Sequence, residues 1–373
     1  MNDNTRIVAL NARFTGTQQP TGTQIASFHL FDAILRSERQ VRAVVFADRR
    51  FAGVEAWASL AGTEIVDIPF GSWKRSVAQI WEQVSLPRAA RRRGCRLIHH
   101  PMTTGSLLKL GLASIVTVHD LNFYHHGEWI SRAFRWWLCR VIVPVIKRAD
   151  RVVAISDYVL DDVRRTLHIS ESRSLRIYNG LRSLSTELVR SETAAEIPNI
   201  LGVNLWQPHK NLPRLINAFK RVKQVHPNLE LHLAGRPQGT FRSQPELAAM
   251  IEQPGVKVLG YLSEKGLARA YANASVVCYP SLAEGFGLPL LEAMSAGAPV
   301  VTSNCSCLPE IAGGAAILVD PLSEEGIAAG ILEALAETPA ARARRISLGR
   351  KVARSFTWEN AAARYLQLYN ELL

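Results

Sequence analysis

Short apolar runs alternate with amphipathic stretches along almost the whole chain, in two successive series. Alternation of this kind is typical of parallel strands that are covered by helices. The first series predicts strands at Ile7–Leu10, Val41–Phe46, Ile65–Ile68, Leu97–His99, Ile115–Val118 and Val152–Ile155. The second predicts strands at Asn199–Val203, Leu229–Ala234, Val256–Leu259, Ser275–Tyr279, Pro299–Thr302 and Ala316–Val319. The predicted fold class is therefore α/β, with two Rossmann-like, doubly wound domains that face a cleft, and ligands of such sheets bind outside the carboxyl ends of the strands.

An aperiodic stretch separates the two series. It runs from about Leu181 to Pro198, is rich in Ser, Thr, Glu and Ala, and is typical of a linker. A length of 373 residues also favours two domains. We predict a first domain over residues 1–185, a second over residues 186–355, and a terminal helix within residues 356–373 whose N-cap is Thr357.

The excess positive charge lies almost entirely in the first half of the chain. Of 44 Lys and Arg and 32 Asp and Glu, residues 1–185 contain 26 and 15, which leaves 18 and 17 for the remainder. We therefore expect the first domain to meet an anionic partner. Arg residues cluster at 88–96 and again at 132–140, where they mix with Trp and Phe as in a helix at an anionic membrane surface. The alternative is a solvated charged face, and since no nucleic-acid recognition motif is present we expect no nucleic-acid partner.

Nothing in the sequence predicts a membrane span. The longest apolar candidate, Trp136–Ile146, is interrupted by Arg140 and Pro144, and the polar start of the chain does not resemble a signal peptide. The five cysteines are too few and too scattered for a disulfide framework, which suits a reducing compartment. We expect a cytoplasmic protein that is peripheral at the inner face of the cytoplasmic membrane.

The segment Glu284–Met294 carries the strongest chemical signal. It follows a predicted strand and opens a helix, with Pro289 in the first turn. Its glycines let the backbone approach a ligand, and a helix start favours an anion or sugar hydroxyls near the free amides of Phe286, Gly287 and Leu288. Glu284 and Glu292 can face the same ligand. If the two residues were an isolated pair, the simpler interpretation would be that Glu284 is a loop residue and that Glu292 is an acid favoured by the helix dipole.

Residues 284–300 resemble the signature of retaining, nucleotide-sugar-dependent glycosyltransferases of family GT4, which have the GT-B fold. The shared pattern is E-G-F-G-x-P-x-x-E-A-M-x-x-G-x-P-V, in which the two Glu are eight positions apart. The resemblance extends over most of the chain and includes Asn11–Arg13 with Gly22, Val118–Asp120, Pro208–Leu212, Leu259–Leu262 and Phe356–Trp358. It implies that the terminal helix crosses back to pack on the first domain.

The resemblance also implies roles for individual residues. As catalytic residues, His119 would lie beside the donor sugar, Lys210 would bind the donor diphosphate, and Glu284 would hold hydroxyls of the donor sugar. Glu292 would accept from the ribose hydroxyls. The remaining donor-binding positions would be Gly22, Gly260, Tyr261, Phe286, Gly287 and Leu288.

One position departs from the family pattern. Many members have an arginine for the diphosphate where this chain has Val203, after Gly202. His209 and Arg13 are the candidates for replacing that charge. On the acceptor side, His99 and His100 end a predicted strand and are candidates for lining the acceptor site, and buried core positions are the alternative.

The chain contains no Asp-x-Asp tripeptide, the paired acids with which metal-dependent transferases hold a divalent ion. We therefore expect a metal-independent reaction and no cofactor besides a nucleotide-sugar donor. The Asn-Ala-Arg opening and the Pro-His-Lys-Asn segment resemble mannosyltransferase members, which implies GDP-mannose as donor and a lipid-linked or saccharide acceptor in surface polysaccharide or exopolysaccharide synthesis. A UDP-sugar donor, or a protein that binds a nucleotide sugar without catalysis, is the alternative.

Overall fold

The structure is a computed structural model that describes residues 6–16, 21–39, 41–68, 75–181, 197–235 and 246–373. As far as residue 180, the regular elements are β1 (Ile7–Ala12), α1 (Gly22–Arg36), β2 (Arg42–Ala47), α2 (Val54–Ala58), β3 (Thr63–Asp67), α3 (Arg75–Arg92), β4 (Leu97–His100), β5 (Ala113–Val118), α4 (Asn122–His125), α5 (Arg132–Trp137), α6 (Val143–Arg148), β6 (Arg151–Ala154), α7 (Asp157–Leu167) and β7 (Ser174–Arg176). Beyond residue 180 they are β8 (Asn199–Val203), α8 (Leu212–Val225), β9 (Glu230–Ala234), α9 (Glu246–Ile251), β10 (Val256–Gly260), α10 (Glu264–Asn273), β11 (Val276–Tyr279), α11 (Leu288–Ala296), β12 (Val300–Ser303), α12 (Leu308–Ala312), β13 (Ile317–Val319), α13 (Glu324–Ala336), α14 (Pro339–Arg354) and α15 (Trp358–Leu372).

The chain divides into two compact units. Unit 1 comprises Met1–Tyr124, Ala133–Gly180 and Thr357–Leu373, and unit 2 comprises His125–Arg132 and Leu181–Phe356. The short segment His125–Arg132 therefore belongs to unit 2, which the sequence pattern did not predict. The predicted domain boundary at residues 185 and 186, and most of the predicted linker, lie outside the described residues.

The sheet of unit 1 has seven parallel strands in the order β3-β2-β1-β4-β5-β6-β7. All six predicted strands of the first series are confirmed, with bounds that differ by at most two residues. The additional strand β7 has three residues at the edge of the sheet, and so short a run carries no periodic signal. Since β2 and β4 flank β1, the strand order reverses between β1 and β4, which makes that point the favoured place for a ligand.

The terminal helix α15 packs inside unit 1, against α1 and the sheet. Thr357 is its N-cap, as predicted, because the hydroxyl accepts from the Asn360 N–H at 3.1 Å. The ring of Tyr365 is buried against the sheet, and its hydroxyl hydrogen-bonds Thr117 at 2.7 Å. Gly180 lies so close to the start of α15 that a Cβ there would collide with the Trp358 backbone. The end of the chain is therefore part of the first core.

The sheet of unit 2 has six parallel strands in the order β10-β9-β8-β11-β12-β13. All six predicted strands of the second series are confirmed, with bounds that differ by at most one residue. The strand order reverses between β8 and β11, so the carboxyl ends of those two strands form the ligand edge of this unit. Lys210 follows β8 and Glu284 follows β11, and the topology thereby brings the two predicted site residues to one place.

Two helical segments of unit 1 bear on the predicted membrane contact. A single π-helical turn at Leu138–Ile142 joins α5 to α6, so the basic and aromatic stretch is helical, as predicted. The Arg cluster at 88–96 lies at the end of α3 and just beyond it. Within the described part of the chain, no helix is both long and apolar enough to cross a bilayer.

Candidate active site

A buried ion pair lies at the ligand edge of unit 2. The Nζ of Lys210 is 2.6 Å from the Oε1 of Glu284, and the two side chains are only 12% and 10% exposed. The hydroxyl of Tyr279, the last residue of β11, donates to the same carboxylate oxygen at 2.7 Å and also accepts from Lys210. Three polar groups from two neighbouring strands therefore converge on one point, and Tyr279 is a member that the sequence pattern did not reveal.

The turn that carries Lys210 is held by Asn211. Asn211 has a left-handed backbone (φ 64°), which asparagine tolerates better than most residues, and this conformation ends the 3₁₀ turn and starts α8. Its buried amide nitrogen donates to the carbonyls of Pro280 at 2.9 Å and Pro321 at 2.7 Å. Since Pro280 directly follows β11, the amide ties the loop after β8 to the loop after β11 and fixes the distance between Lys210 and Glu284.

The charges of the site are set by this geometry. Burial opposes ionisation of Glu284, but the Lys210 ammonium and the hydrogen bonds from Lys210 and Tyr279 outweigh it, so the pKa of the carboxyl lies below its ordinary value. Burial, and then the neighbouring Glu284 charge, raise the pKa of Tyr279 well above its ordinary value. At neutral pH the site therefore contains a carboxylate, an ammonium and a neutral phenol.

The glycine-rich segment after Glu284 forms the start of α11, as predicted. Gly287 is the N-cap residue with φ 93°, and a side chain there would be strained and would crowd Leu308. Leu288 and Pro289 begin the helix, so the N-terminal end of α11, with its positive potential, directly follows the loop that carries Glu284. Phe286 is buried and meets Phe356 edge to face with ring centroids 5.6 Å apart, so its side chain is part of the packing of unit 2.

The other predicted donor-binding residues are placed around this edge. Glu292 lies in α11, where it accepts a hydrogen bond from the Tyr271 hydroxyl at 3.0 Å. Gly260 ends β10 with φ 68° and has open space where a Cβ would stand, and its carbonyl accepts from the Gly235 N–H at 2.7 Å. Tyr261 is 75% exposed. Because β9 separates β10 from β8, Gly260 and Tyr261 lie at the same edge of the sheet but not beside the ion pair.

His209 is one of the two candidates for the positive charge that is missing at Val203. The ring is buried, and burial together with the adjacent Lys210 ammonium lowers the pKa of His209 to about 4. A neutral imidazole cannot supply the positive charge of the arginine that many family members have in place of Val203. The ring of Trp129 lies 5.5 Å from His209 and stacks on His126 at 4.0 Å, so Trp129 is part of unit 2 and not of an exposed membrane face.

In unit 1, His119 directly follows β5 and is held by the loop after β4. Its Nε2 donates to the Pro101 carbonyl at 2.9 Å, and its backbone N–H donates to the Thr103 hydroxyl at 2.9 Å. A carbonyl can only accept, so the ring proton is on Nε2 and Nδ1 is an acceptor. Burial lowers the pKa of His119 to about 4, and the ring is therefore neutral at physiological pH. Gly22, the other predicted residue of this side, is the first residue of α1 and has open space around it.

The two consecutive histidines at the end of β4 have different surroundings. His99 is a core residue, since its ring stacks on Tyr365 at 4.6 Å and its nitrogens bond to Tyr369 at 2.6 Å and Thr117 at 3.2 Å. Both ring nitrogens are used inside unit 1, which fits the alternative of a buried core position, and a place in the acceptor site stays a prediction. His100 is also buried, but it accepts from the Asn11 amide at 2.9 Å beside the predicted residue Arg13.

A buried carboxylate accompanies His100, and the sequence pattern did not reveal it. Glu82 in α3 is 1% exposed and accepts from Asn11 at 2.6 Å and Thr104 at 2.9 Å. Its carboxylate also lies 3.3 Å from the Arg13 guanidinium. A signal does exist in the sequence, since Glu82 occupies the buried stripe of α3 that is formed, at intervals of four, by Ala78, Glu82, Leu86 and Ala90.

Within the described residues, no group of three or more His, Cys, Asp or Glu side chains is arranged to hold a metal ion. Metal independence stays a prediction.

Comparisons with known proteins agree with this geometry. The model for glycosyltransferase family 4 matches residues 26–182, and the model for glycosyl transferases group 1 matches residues 189–352. The O-antigen chain mannosyltransferase B of Escherichia coli is 27% identical over 272 residues, which cover 69% of this chain and 70% of that protein. The MMP alpha-(1->4)-mannosyltransferase of Mycolicibacterium hassiacum is 27% identical over 311 residues, which cover 76% and 72%.

Solved structures show the same fold. Sucrose-phosphate synthase from Thermosynechococcus elongatus has a TM-score of 0.75 at 19% identity, with 98% of this chain and 99% of that chain covered. The Anabaena protein HepE, solved with UDP and glucose, has a TM-score of 0.69 at 17% identity, with 98% and 100% covered. The two family models together match most of the sequence, and both sheets are parallel and doubly wound, as predicted. The chain therefore contains a glycosyltransferase family 4 domain followed by a glycosyl transferases group 1 domain, and it has the GT-B fold of glycosyltransferases.

Proposed function

We propose that this protein is a retaining, metal-independent mannosyltransferase that transfers mannose from GDP-mannose to a lipid-linked or saccharide acceptor. The process it serves is the synthesis of a surface polysaccharide or exopolysaccharide. The family supports transfer of a sugar, and several of its similar relatives are named as O-antigen or other mannosyltransferases. The donor base, the stereochemical outcome and the independence from metal are the finer parts of the proposal.

The observation that carries the proposal is the buried Lys210–Glu284 pair at the switch point of unit 2. An ammonium can bind a phosphate, and a carboxylate can accept from sugar hydroxyls. A donor in which a phosphate adjoins a sugar therefore satisfies both members of the pair at once. A plain nucleotide would offer a phosphate to the ammonium but no sugar hydroxyls of a transferred group to the carboxylate.

The leaving diphosphate is the group that most needs stabilisation. Negative charge grows on it as the bond from the anomeric carbon to the phosphate oxygen breaks. A charge-assisted contact from Lys210 contributes roughly 1.5–3 kcal/mol, which is about ten- to a hundredfold in rate if the contact strengthens in the transition state. The amides at the start of α11 add a positive potential near the same edge.

For retention in a single displacement, the acceptor approaches from the side on which the diphosphate leaves. The acceptor oxygen forms the new bond to the anomeric carbon, and its proton passes to the departing phosphate oxygen. No separate protein base is needed, because the departing phosphate oxygen takes the proton of the acceptor. In this scheme, Glu284 orients sugar hydroxyls and stays ionised, and neutral His119 accepts from the sugar through Nδ1 or its backbone carbonyl.

The test is transfer from a panel of GDP- and UDP-linked sugars by the purified protein, with release of nucleotide measured with and without a short mannoside acceptor. The expected result is turnover with GDP-mannose and an α-configured product by nuclear magnetic resonance, unchanged by EDTA. Turnover only with a UDP-sugar would correct the donor, and a β-configured product would exclude retention. Tight binding of a sugar nucleotide without any turnover would favour a binding protein.

The anionic partner proposed for unit 1 is the membrane that carries a lipid-linked acceptor. Helix α3 presents an exposed apolar stripe of Val77, Ile80 and Val84, which are 46%, 62% and 40% exposed, and Arg88 and Arg91 follow on the same face. Apolar side chains that continue into arginines on one helix face suit the boundary of an anionic bilayer.

The helical segment that contains α5 and α6 carries a second set of exposed residues. Gly105 accepts a hydrogen bond from Gln83 of α3, and the side chain of Val145 in α6 lies against the same glycine. The helical segment that contains α6 also carries Trp136, which is 62% exposed. Both basic segments of unit 1 thus carry exposed apolar or aromatic side chains as well as arginines, which supports a membrane-facing role for each.

Sedimentation with vesicles tests this surface. Vesicles of phosphatidylglycerol should bind the protein, and vesicles of phosphatidylcholine should not. Each arginine near the leaflet contributes on the order of 1 kcal/mol, so Arg88→Gln combined with Arg91→Gln should weaken binding roughly tenfold or more, and Ile80→Ser should also weaken it. Val225→Ser changes an exposed apolar residue of unit 2 and is the matched control. Equal binding of all variants would contradict the assignment.

A further inference from the structure

A connected set of buried polar groups lies at the switch point of the unit 1 sheet. Asn11 is in β1, His100 ends β4, and these are the two strands between which the strand order reverses. Arg13 follows β1 directly, and Glu82 reaches the same place from α3. The groups therefore occupy the position in unit 1 that corresponds to the Lys210–Glu284 pair in unit 2.

The carboxylate of Glu82 determines the orientation of the other groups. Because a carboxylate only accepts, the Asn11 side chain must turn its nitrogen toward Glu82, at 2.6 Å, and its oxygen then accepts from the Arg13 N–H at 3.3 Å. The same nitrogen donates to His100 Nδ1, so the ring proton of His100 is on Nε2. The Thr104 hydroxyl donates to the same carboxylate oxygen as Asn11, the Oε1 of Glu82, at 2.9 Å.

Stability alone gives little reason for this arrangement. A buried ion pair contributes about as much as well-packed apolar residues, or less. The Arg13 guanidinium has five N–H groups, and the structure shows it paired through Nη2 to Glu82 at 3.3 Å. Its Nε is buried and has no partner among the residues that the structure describes. The side chain as a whole is 16% exposed, and Arg13 directly follows β1 at the edge where ligands of such a sheet bind.

We infer that Glu82 is a positioning residue that holds Arg13 for a phosphate group of a substrate. The inference rests on the proposed function, in which both the donor and a lipid-linked acceptor carry phosphate. Arginine suits this role because its planar fork can bind two phosphate oxygens while another edge is held by a carboxylate. Arg13 thereby supplies a fixed guanidinium in a chain that has Val203 where many family members have an arginine.

Binding of two phosphate-bearing probes to the full-length protein tests the inference by calorimetry. GDP represents the donor, and farnesyl phosphate represents a lipid phosphate acceptor. Arg13→Gln should weaken one of the two at least tenfold, and the probe affected identifies the source of the phosphate. Glu82→Gln should weaken the same probe three- to tenfold, because the amide nitrogen that replaces one oxygen repels the guanidinium.

A double-variant cycle separates positioning from a merely structural role. If Glu82 acts through Arg13, the protein with both changes should bind no more than twofold worse than Arg13→Gln alone. Glu82→Asp and Arg13→Lys keep the charges and should fold, so they replace the glutamine variants if those lose their circular dichroism spectrum. Glu64→Gln removes the acid of the exposed Glu64–Arg93 pair and is the control that should bind like the parent.

Three results would overturn the inference: a parent protein that binds neither probe, variants of Arg13 that leave both affinities unchanged, or an effect of Glu82→Gln that is as large without Arg13 as with it. None of these readings depends on turnover. If the proposed function is wrong but the inference is right, the protein should transfer no sugar from any sugar nucleotide and should still bind phosphate through Arg13.

Discussion

Each unit has a buried ion pair at the switch point of a parallel sheet, and the two pairs are built in different ways. In unit 2, Lys210 and Glu284 come from the loops after two neighbouring strands and approach to 2.6 Å. In unit 1, Arg13 and Glu82 come from a turn and a helix, remain 3.3 Å apart, and need neutral partners to complete the set. The first arrangement places two charges on one point, and the second distributes hydrogen bonds around one carboxylate.

The difference indicates a division of labour. A close pair that is 10–12% exposed can exchange its internal contact for contacts with a substrate, so unit 2 is suited to the reacting bond. A carboxylate that is 1% exposed cannot reach a substrate and acts through the groups it holds. Unit 1 also contains most of the excess positive charge of the chain, which suits a unit that receives an anionic partner.

The largest expected effect is a loss of stability at acidic pH, and it should be greater in unit 1, which contains three of the four buried histidines. Burial lowers the pKa values of His100, His119 and His209 to about 4, and that of His99 well below its ordinary value. Between pH 6.5 and 4 the unfolded histidines gain protons and the folded ones do not, so the free energy of unfolding falls as the pH falls. Each fully responding histidine costs up to about 1.4 kcal/mol per pH unit.

Urea denaturation at pH values between 7 and 5 measures this dependence. His209→Gln should reduce the pH dependence of the free energy of unfolding by the contribution of one histidine. The other three buried rings, all in unit 1, should keep theirs. His226→Gln changes an exposed histidine of unit 2 and is the matched control. A free energy of unfolding that is constant over this range would contradict the buried, neutral state of these rings.

The next prediction compares how much the cation of each ion pair contributes to the free energy of unfolding. Lys210→Met leaves the Glu284 carboxylate buried without its cation and should lower the free energy of unfolding by about 3–5 kcal/mol. Adding Glu284→Gln should recover part of the loss, because no uncompensated charge then remains. Arg13→Met should cost less, since Glu82 keeps the hydrogen bonds from its neutral partners. An Arg13→Met loss as large as that of Lys210→Met would remove this distinction, and exposed Lys220→Met is the control.

A smaller effect concerns the predicted ribose contact in unit 2. The Tyr271 hydroxyl donates to Glu292 at 3.0 Å and holds its carboxylate. Tyr271→Phe removes one hydrogen bond, worth about 0.5–1.5 kcal/mol, so the KM for the sugar nucleotide should rise roughly two- to tenfold while kcat changes little. Steady-state kinetics against donor concentration measures this. A change in kcat alone would place Glu292 in another role.

The same comparison explains what the sequence could predict. Both sheets were predictable because buried parallel strands read as short apolar runs between helices. The site of unit 2 was predictable because Glu284 and the start of α11 lie within one contiguous motif, and Lys210 lies in a second. Tyr279 was not, since a tyrosine at the end of a buried strand looks like a core residue until its hydroxyl is seen on the carboxylate.

The polar set of unit 1 could not be read in this way. Asn11, Glu82, His100 and Thr104 come from separate segments, and their meeting depends on strand order and helix orientation, which one sequence does not specify. His99 and His100 are adjacent and look alike in the sequence. Alternation along β4 directs one ring toward Tyr365 and the other toward Asn11, so only one of them can belong to the switch point.

The most direct test of the account is the rate of transfer from GDP-mannose by Glu284→Gln and Lys210→Gln, measured beside the parent protein and the exposed control Lys220→Gln. The account predicts that both site variants lose at least tenfold in kcat/KM while their circular dichroism spectra match that of the parent, and that the control keeps its activity. Transfer at the parental rate by either site variant would contradict the assignment of the buried pair to the reaction.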